Sequence, residues 1–424
     1  MRATRVRWVI LSLLFLATTV NYLDRIVFAV LIPAIRKDLR LNDLEYGYIN
    51  GAFQLAYTIG FLFMGKFIDW AGTKIGYLVS ILWWSMAAAL HSVAGSGIAL
   101  GLWRFMLGLG ESGNFPSAIK SVAEWFPKKD RAFATGIFNA GTNVAATVGP
   151  PVIVAVTAVC GWRAAFLMTA GLGLFWVPLW WRYYDRPEKH RKIDRAELEY
   201  IQSGREEAAP AVPWVAALRH RETWGFAAGK FLTDPVWWFY LTWLPPYFYD
   251  ARHFSLMQIG WALPAIYLAA DFGSVGGGWI SRFLIARGWP VGRARKGAML
   301  LAAACMPLAV MAVFVGNPVG AIALISVATS AHQGWSANLY TTVSDCFPSG
   351  AVASVTGIGA SAGGLGGFLF SAILPGVVIT YFGYVPVFIL MGILHPLAWF
   401  CVHLLMGRIE PVSAGKQFVP APAR

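Results

Sequence analysis

Residues 21–25 read Asn-Tyr-Leu-Asp-Arg, and they place two opposite charges side by side within an otherwise apolar run from Trp8 to Ile35. Roughly 20 apolar residues match the hydrocarbon thickness of a bilayer, so this run predicts a membrane-spanning helix. An ionisable side chain near the centre of a bilayer costs ~2.5–3.5 kcal/mol. Two such neighbours, Asp24 and Arg25, therefore indicate a functional site.

A second charged stretch lies further along the chain, from Trp103 to Glu111. At about 3.6 residues per turn, Arg104, Gly108 and Glu111 share one face of a helix. The first half of the chain therefore carries two arginines and two carboxylic acids at membrane depth. This combination predicts a protein that moves an organic anion together with protons.

The composition is typical of a membrane protein. Of the 424 residues, 57% are hydrophobic and 13% are charged, whereas soluble domains average about 25% charged residues. The net charge of +13 comes from cations in short gaps between apolar runs, which follows the positive-inside rule and argues against nucleic-acid binding. The four cysteines are scattered without a C-x-x-C pattern, so they indicate packing and neither a zinc nor a redox site.

Hydropathy predicts an all-α membrane protein with 12 transmembrane helices in two pseudo-symmetric six-helix bundles. The predicted spans are 8–36, 46–70, 76–96, 98–126, 131–159, 162–182, 222–249, 256–283, 297–315, 318–345, 351–380 and 384–407. Cations concentrate in the gaps after every second span, which predicts that both termini are cytoplasmic. The first apolar run is too long for a secretory signal peptide.

The longest polar stretch, Arg182 to Arg221, separates the spans into two sets of six. In this stretch we expect Asp194 to cap a short helix that has Glu197 at its third position. The expected domains are a six-helix bundle over 1–182, a solvated cytoplasmic connector over 183–221, a second bundle over 222–408 and a disordered cytoplasmic tail over 409–424.

The two halves share a repeated pattern. Residues 124–127 read Glu-Trp-Phe-Pro, and residues 345–348 read Asp-Cys-Phe-Pro. In this register Glu111 falls on His332, so the charged pair of the first half is not duplicated in the second. Two six-helix halves suit a transporter whose substrate site lies near the bilayer midplane. Two glycine stripes are expected to allow close helix packing. They are Gly136, Gly141 and Gly149 on the fifth span, and Gly359, Gly363 and Gly367 on the eleventh.

The end of the second predicted span carries a family signature. Residues 65–74 read Gly-Lys-Phe-Ile-Asp-Trp-Ala-Gly-Thr-Lys and resemble the G-x-x-x-D-x-x-G-x-[KR] motif of the major facilitator superfamily. The matching positions are Gly65, Asp69, Gly72 and Lys74. We expect a cytoplasmic gate in which Gly65 allows close packing and Asp69 meets a helix N-terminus or Arg131. The family often has another basic residue where this chain has Gly76, which weakens the expected latch.

A more specific resemblance is to the anion:cation symporter family, which includes sugar-acid, phthalate and vesicular glutamate carriers. It rests on residues 21–25, Arg104, Glu111, residues 115–116 and residues 124–127. Three segments of the second half are similar to bacterial hexuronate permeases, namely 230–237, 270–273 and 331–333. The resemblance therefore extends to both halves of the chain.

This resemblance implies that Arg25 and Arg104 neutralise the substrate carboxylate and that Asp24 and Glu111 take up and release protons. The chemistry agrees, because a guanidinium offers a planar fork of donors that matches a carboxylate and keeps its charge. A substrate that occupies the arginine favours protonation of the acid, so proton and anion affinities become linked. The alternative is a fixed buried ion pair that holds helices together.

Other polar and aromatic residues are candidates for contacts with a sugar ring. By resemblance, Tyr57 lines the cavity. The remaining candidates are Asn139, Trp237, Gln333 and Asn338. Each of these residues has an alternative role in helix packing. Asp271 lies mid-span without a charged neighbour in sequence, so it is either an interhelical partner or an additional proton-coupling site.

The sequence therefore predicts a permease that imports a hexuronate or related sugar acid in symport with protons by alternating access. Signatures of enzymes are absent from the sequence, and we expect no cofactor and no metal. The alternatives are a proton-coupled exporter of drugs or metabolites on the same fold and a membrane-embedded enzyme or sensor. We expect a monomer in the bacterial inner membrane; sodium in place of protons and the stoichiometry stay open.

Overall fold

The computed structural model describes residues 5–203, 214–347, 349–410 and 412. Throughout these ranges the regular secondary structure is helical and no β-strand occurs, so the all-α prediction is confirmed. The predictions for the connector and the tail are described only in part, because residues 204–213, 411 and 413–424 lie outside the described residues.

The helices follow one another through short connections. In chain order they are α1 (Val6–Leu39), α2 (Asp43–Ala71), α3 (Thr73–Leu90), α4 (Gly97–Glu111), α5 (Asn114–Trp125), α6 (Lys128–Cys160), α7 (Trp162–Tyr183), α8 (Arg195–Gln202), α9 (Trp214–Ala217), α10 (Arg221–Pro246), α11 (Leu256–Ala286), α12 (Val291–Cys305), α13 (Leu308–Phe314), α14 (Pro318–Cys346), α15 (Ser349–Gly367), α16 (Leu374–Phe382) and α17 (Tyr384–Met406). Single 3₁₀ or π turns, such as Tyr247–Ala251 after α10, extend some of them.

Length and hydropathy identify the helices that can cross a bilayer. Within the described residues, 7 helices are long and apolar enough, and an eighth is added if the bent pair Asp43–Phe61 and Phe63–Ala71 counts as one span. Some predicted spans are divided between helices, and one of these, Val291–Phe314, is among the 7. The span 98–126 consists of α4 and α5, and the span 297–315 consists of α12 and α13, which begins after Pro307. Proline has no backbone N–H, which explains the second break.

The chain forms two compact units. Unit 1 comprises Met1–Glu206 and Thr242–Pro264, and unit 2 comprises Glu207–Leu241 and Ala265–Arg424. The segment Thr242–Pro264 was expected within the second bundle, but its contacts lie in unit 1. The Tyr46 hydroxyl donates to the carbonyl oxygen of Thr242 at 2.7 Å, and Arg36 pairs with Asp250 at 2.9 Å.

Close contacts between helices in unit 1 depend on glycine. Here α1 packs against α6 and α7, α2 against α4, and α3 against α4 and α7. A Cβ atom at Gly141 would lie 2.7 Å from the carbonyl oxygen of Phe15, and one at Gly149 would lie 2.7 Å from the Leu23 side chain. The predicted close packing is therefore confirmed at Gly141 and Gly149, where α6 meets α1. At Gly136 a Cβ atom would meet no heavy atom of the described residues within 4 Å, so that glycine does not take part.

Unit 2 uses glycine in the same way. Here α12 and α13 both pack against α14 and α17. A Cβ atom at Gly359 would lie 2.1 Å from the Phe226 ring, and one at Gly363 would lie 2.1 Å from Asp234 Oδ2. The predicted close packing of the second glycine stripe is therefore confirmed, because α15 meets α10 at these positions.

The phenylalanine of the repeated pattern has the same backbone conformation in both units. Phe126 follows α5 with φ −125° and ψ 135°, and its N–H donates to the Val122 carbonyl oxygen. Phe347 follows α14 with φ −114° and ψ 145°, and its N–H donates to the Val343 carbonyl oxygen. The sequence repeat is therefore also a structural repeat at these two helix ends.

The acid that precedes each Phe-Pro pair ties two helices together. Glu124 accepts a hydrogen bond from the Thr73 hydroxyl at the start of α3, at 2.7 Å. Asp345 pairs with Arg295 in α12, at 3.2 Å. Glu124 also accepts from the Tyr184 hydroxyl at 2.5 Å. Burial and the Glu124 carboxylate raise the pKa of Tyr184 well above its ordinary value, so this hydroxyl remains a donor.

The described part of the connector packs on unit 1. Asp194 accepts a hydrogen bond from the Glu197 N–H at 2.7 Å, which confirms the predicted cap of α8. The Glu197 carboxylate is fully buried and accepts from the N–H groups of Val6 and Arg7 at 3.1 and 3.2 Å. One face of α8 is therefore buried, because its acid caps the first turn of α1, while Arg195 and Glu199 on the same helix are exposed.

Candidate functional site

The charged residues of α1 and α4 meet inside unit 1. Arg25 Nε donates to Glu111 Oε2 at 2.5 Å. Arg25 is 7% exposed and Glu111 is fully buried, so the pair is shielded from water. The pair forms with Glu111 and not with Asp24, because neighbouring positions on a helix face in different directions.

Asp24 occupies a different environment from Glu111. It is 1% exposed, and neither carboxylate oxygen has a hydrogen-bond partner within the part of the chain that the structure describes. Its polar surroundings are Thr169 on α7 and the charged groups of Glu111 and Arg104. A buried carboxylate in this position is costly when ionised, and a proton, a water molecule or a ligand relieves the cost.

Arg104 places a second guanidinium next to the α1 backbone at Asp24 and Arg25. It donates to the carbonyl oxygens of Asp24 and Arg25 at 3.5 and 3.3 Å. Its guanidinium carbon lies 4.3 Å from the ring centroid of Phe28 and 5.1 Å from that of Phe53. Arg104 therefore brings positive charge to the point of α1 where Asp24 and Arg25 lie.

The close approach of α4 to α2 positions these charges. A Cβ atom at Gly108 would lie 2.5 Å from the carbonyl oxygen of Phe53, so only glycine fits this contact. Arg104 and Glu111 lie about one turn to either side of Gly108 on the same helix face. Both side chains are buried, which confirms the predicted shared face.

Aromatic rings surround the Arg25 guanidinium. Its central carbon lies 4.2 Å from the ring centroid of Tyr57, 4.9 Å from that of Tyr22 and 5.4 Å from that of Phe53. The Tyr57 ring stacks on Phe53 with an interplanar angle of 16°. Cation–π contacts of this kind favour a fixed guanidinium orientation. The structure therefore places Tyr57, a predicted cavity residue, directly at the charged cluster.

The sequence reasoning gave no role to several members of this cluster. Asn21 is fully buried, and neither polar atom of its side chain has a partner among the residues described. Phe28, Phe53 and Thr169 contact the charges but look like ordinary apolar-span residues in the sequence. For these three residues, the one sequence signal of a place in the cluster is the position of Phe53, one helical turn before Tyr57.

Asn139 is not joined to this cluster. It lies on α6, where it is exposed, and its carbonyl oxygen accepts from the Thr142 hydroxyl at 2.8 Å. Neither a hydrogen bond nor an ion pair connects it to Arg25 or Glu111 in the described structure. Its predicted contact with the substrate remains a prediction.

In unit 2, Trp237 is part of an aromatic stack with two histidines. The Trp237 ring lies 5.6 Å from the His332 ring with an interplanar angle of 8°. His332 Nδ1 lies 3.1 Å from His395 Nε2 on α17, and both histidines are buried. This pair fixes the ring on which Trp237 stacks. The sequence gives no signal for this contact, because His332 and His395 lie on separate helices.

The other predicted residues of unit 2 have different surroundings. Asn338 Nδ2 donates to the carbonyl oxygens of Gly277 and Gly334, both at 2.9 Å, where α11 meets α14. Its Oδ1 atom has no partner within the described residues. Gln333 and Asp271 are half-buried, and the described structure gives their side chains no hydrogen bond and no ion pair. Asp271 therefore does not pair with a charged residue of another described helix.

A buried ion pair also lies on α10 in unit 2. Lys230 Nζ lies 2.8 Å from Asp234 Oδ2 and donates to the Tyr340 hydroxyl at 2.8 Å. The two residues are one turn apart on the same helix. Lys230 and Asp234 therefore satisfy each other.

The signature residues of the predicted gate form ion pairs at one end of unit 1. Asp69 pairs with Lys120 on α5 at 2.7 Å, and Lys74 pairs with Asp185 at 3.5 Å. Arg131 instead donates to the carbonyl oxygen of Phe126 at 3.1 Å. The expected contact between Asp69 and Arg131 is therefore not formed, because Arg131 closes the turn between α5 and α6.

The glycines of the signature have separate roles. Gly72 has φ +77°, a conformation that favours glycine, and it separates α2 from α3. A Cβ atom at Gly76 would lie 3.0 Å from the Ile68 backbone, so a basic side chain would crowd α2 there. A Cβ atom at Gly65 would meet no heavy atom of the described residues within 4 Å, so the predicted close packing is not formed among them.

Comparisons with known proteins identify relatives along nearly the whole chain. The family model described as Major Facilitator Superfamily matches residues 14–371. The hexuronate transporter of Escherichia coli (strain K12) is 30% identical over 394 residues, covering 91% of each chain. The galacturonate transporter of Dickeya chrysanthemi is 33% identical over 279 residues, covering 65% of this chain and 81% of the relative. The D-galactonate transporter of Escherichia coli O6:H1 is 26% identical, covering 96% and 97%.

A solved structure gives the same fold. A bacterial homolog to the human lysosomal transporter Spinster, in an inward-facing and unoccupied conformation, matches with a TM-score of 0.77. It is 18% identical in sequence, and the match covers 96% of this chain and 98% of that chain. In the described residues, no group of three or more His, Cys, Asp or Glu side chains is arranged to hold a metal ion.

Proposed function

Because this chain belongs to the major facilitator superfamily, we propose that it imports a sugar acid in symport with protons by alternating access. The substrate is a hexuronate such as glucuronate or galacturonate. Relatives of this chain are named transporters of hexuronate, galacturonate and D-galactonate, which are all polyhydroxylated carboxylates. The carrier works in the bacterial inner membrane, with two six-helix bundles and both termini in the cytoplasm.

The observation that carries the proposal is the buried pair of Arg25 and Glu111 beside the unpartnered carboxylate of Asp24. A substrate carboxylate takes the place of Glu111 at the Arg25 guanidinium, because the planar fork of donors suits either acid. Glu111, left buried without its cation, is stabilised by taking a proton. Release of the substrate restores the pair and expels the proton, so the two movements are coupled.

The remaining residues have supporting roles in this scheme. Arg104 adds positive charge for the anion, and Tyr57 orients Arg25. Trp237 offers an aromatic face to the sugar ring. The polar groups that meet its hydroxyls are those of Asn139, Gln333 and Asn338, the last through Oδ1. Asp271 is an additional proton-coupling site.

The signature at the end of α2 acts as the cytoplasmic gate. Its ion pairs, Asp69 with Lys120 and Lys74 with Asp185, are partly exposed. Exposed pairs contribute ~0–1 kcal/mol each, so they can break and reform at low cost during a transport cycle. Gly72 and Arg131 fix the turns at this end.

Transport in proteoliposomes tests the assignment of the proton-coupling acids. Glu111→Gln and Asp24→Asn should abolish accumulation of labelled glucuronate driven by a pH gradient, while exchange of substrate across the membrane persists. The matched control is Asp38→Asn, because Asp38 lies on the same helix as Asp24 but is 45% exposed and pairs with Arg163. Normal accumulation with an unchanged pH dependence in both test variants would show that these acids do not couple transport to protons.

A further inference from the structure

A groove runs along unit 2 where α11, α12 and α14 come together. Its volume is about 370 Å³. Small and aliphatic residues line it, among them Ala269, Gly276, Ile280, Ala298, Cys305 and Ser330. Next to it, α11 exposes Phe272, Val275 and Trp279, which are 71%, 74% and 61% exposed. The groove therefore belongs to an apolar outer face that contacts lipid in a membrane protein.

The wall of the groove offers little hydrogen bonding to a ligand. The Ser330 hydroxyl donates to the carbonyl oxygens of Ala269 and Ser326, both at 2.7 Å. Along α11 the lining extends from Ala269 to Ile280, which corresponds to ~16 Å at the rise of a helix. That length is close to half of the ~30 Å hydrocarbon core, which is the depth of a single leaflet. An acyl chain from one leaflet fits both the chemistry and the length.

Cations collect at one end of the groove. Residues 282–296 contain five basic residues and no acid. Two of the five are engaged, because Arg295 pairs with Asp345 and Lys296 donates to the carbonyl oxygen of Gly407. The other three, Arg282, Arg287 and Arg293, are exposed, and none of them forms an ion pair in the described structure.

The spacing connects these cations to the groove. Arg287 lies seven residues beyond Ile280, on the same face of the helix and ~10 Å further along its axis. Its guanidinium carbon lies 4.6 Å from the Phe283 ring centroid, which orients it along α11. Trp289, which is 48% exposed, lies next to it in sequence, and tryptophan is typical of the membrane interface. The cations are therefore at the depth of lipid headgroups.

We propose that this groove binds one anionic phospholipid. One acyl chain lies in the groove, and the headgroup phosphate contacts Arg287, with Arg282 and Arg293 on either side. A phospholipid with a net negative charge is preferred over a zwitterionic one, because no acid in this segment balances the three arginines. The site is separate from the Arg25 cluster, so it does not depend on the transport function proposed above.

Thermal unfolding of the purified full-length protein tests the preference for charge. Phosphatidylglycerol should raise the melting temperature more than phosphatidylcholine with identical acyl chains, because a ligand of the folded state stabilises it. The variant with Arg282→Gln, Arg287→Gln and Arg293→Gln should weaken the phosphatidylglycerol affinity about 100-fold, at roughly 1 kcal/mol per cation. Inorganic phosphate should have no effect. An equal shift with both lipids, or a shift with phosphate alone, contradicts the proposal.

Two glycines on α11 provide a matched pair for the acyl-chain subsite. Among the residues that the structure describes, no heavy atom lies within 4 Å of a Cβ atom placed at Gly276 or at Gly278, so neither position is crowded. Gly276 lines the groove, whereas Gly278 is not among its lining residues. Gly276→Leu should fill the groove and remove most of the lipid-dependent shift, and Gly278→Leu should retain it. An unchanged lipid response in folded Gly276→Leu protein would overturn the acyl-chain assignment; if that variant does not fold, the arginine variant decides.

Discussion

At the residue scale, the two acids beside Arg25 are held in different ways. Glu111 shares a short ion pair with Arg25, whereas Asp24 is buried without a hydrogen-bond partner in the described structure. A pair of acids in contrasting environments suits two different steps of a proton cycle. In the proposed cycle, Glu111 takes up a proton when an anion occupies Arg25, and Asp24 is the second proton-coupling acid.

The first prediction separates stability from transport at this pair. Glu111→Ala leaves a buried guanidinium without its carboxylate and should destabilise the folded protein by about 3–5 kcal/mol. Arg25→Leu combined with Glu111→Leu removes both charges and should recover most of that stability. Chemical unfolding in detergent measures both effects. The double variant should still fail to transport, and transport by it would identify the pair as purely structural.

At the scale of helices, the connector helix α8 is fixed by a cap that it supplies to α1. Two backbone N–H groups at the start of α1 donate to the same buried carboxylate of Glu197. The Tyr200 ring lies 4.4 Å from the Arg7 guanidinium carbon, and its hydroxyl donates to Asp130 at 2.8 Å. These contacts hold the end of α1, the helix that carries Asp24 and Arg25.

The second prediction concerns this cap. Glu197→Ala should destabilise the protein by about 1–2 kcal/mol, because the first turn of α1 loses a charged acceptor. Hydrogen exchange at the amides of Val6 and Arg7 should accelerate. Glu199→Ala is the matched control, since Glu199 lies on the same helix but is 63% exposed in its pair with Arg195. Equal effects of the two substitutions would contradict the proposed cap.

The third prediction concerns the packing of α15 against α10. A Cβ atom at Gly363 would clash with the Asp234 carboxylate, so Gly363→Ala should destabilise the protein by about 1–3 kcal/mol and disturb the Lys230–Asp234 pair. Gly357 lies on the same helix, and a Cβ atom there would meet no heavy atom of the described part of the chain within 4 Å. Gly357→Ala should therefore leave the melting temperature unchanged or higher, since alanine favours the helix by ~1 kcal/mol. Melting curves of the two variants compare the positions directly.

At the scale of the whole chain, the two halves share a scaffold but not their charges. Phe126 and Phe347 end their helices with the same geometry. The register that aligns them sets Glu111 against His332, which belongs to an aromatic stack in place of an ion pair. The buried pair of Arg25 and Glu111 therefore belongs to the first half alone, and the equivalent position of the second half carries an aromatic stack.

The fourth prediction concerns the number of protons carried in each cycle. One proton with a monoanion moves no net charge, whereas two protons add a driving force of ~2.3 kcal/mol per 100 mV. Because Asp24 and Glu111 have separate environments, we expect each to carry a proton in every cycle, which makes transport electrogenic. Uptake into vesicles with a clamped, inside-negative potential should therefore exceed uptake at zero potential. Equal uptake at both potentials would indicate one proton per monoanion.

Many features of the site follow from local spacing. The shared face of Arg104, Gly108 and Glu111 and the cap of α8 by Asp194 were predicted correctly, because both depend on residues within two helical turns. The expected contact between Asp69 and Arg131 is not formed. Arg131 donates to the carbonyl oxygen of Phe126, and Asp69 pairs with Lys120. Both contacts depend on the turn between α5 and α6. The hydrophobic pattern and the helical period of the sequence do not specify this turn.

The sequence by itself determined the class of fold, the repeat and the presence of charge at membrane depth, because apolar periodicity and the cost of burying ions act along the chain. Tertiary structure alone decided which charges are partners. Arg25 meets Glu111 and not its neighbour Asp24, and His332 meets His395 from another helix. These pairings depend on the distance between helices. Glycines such as Gly108 permit a close approach, but the spacing of residues along one helix does not specify which helix comes close.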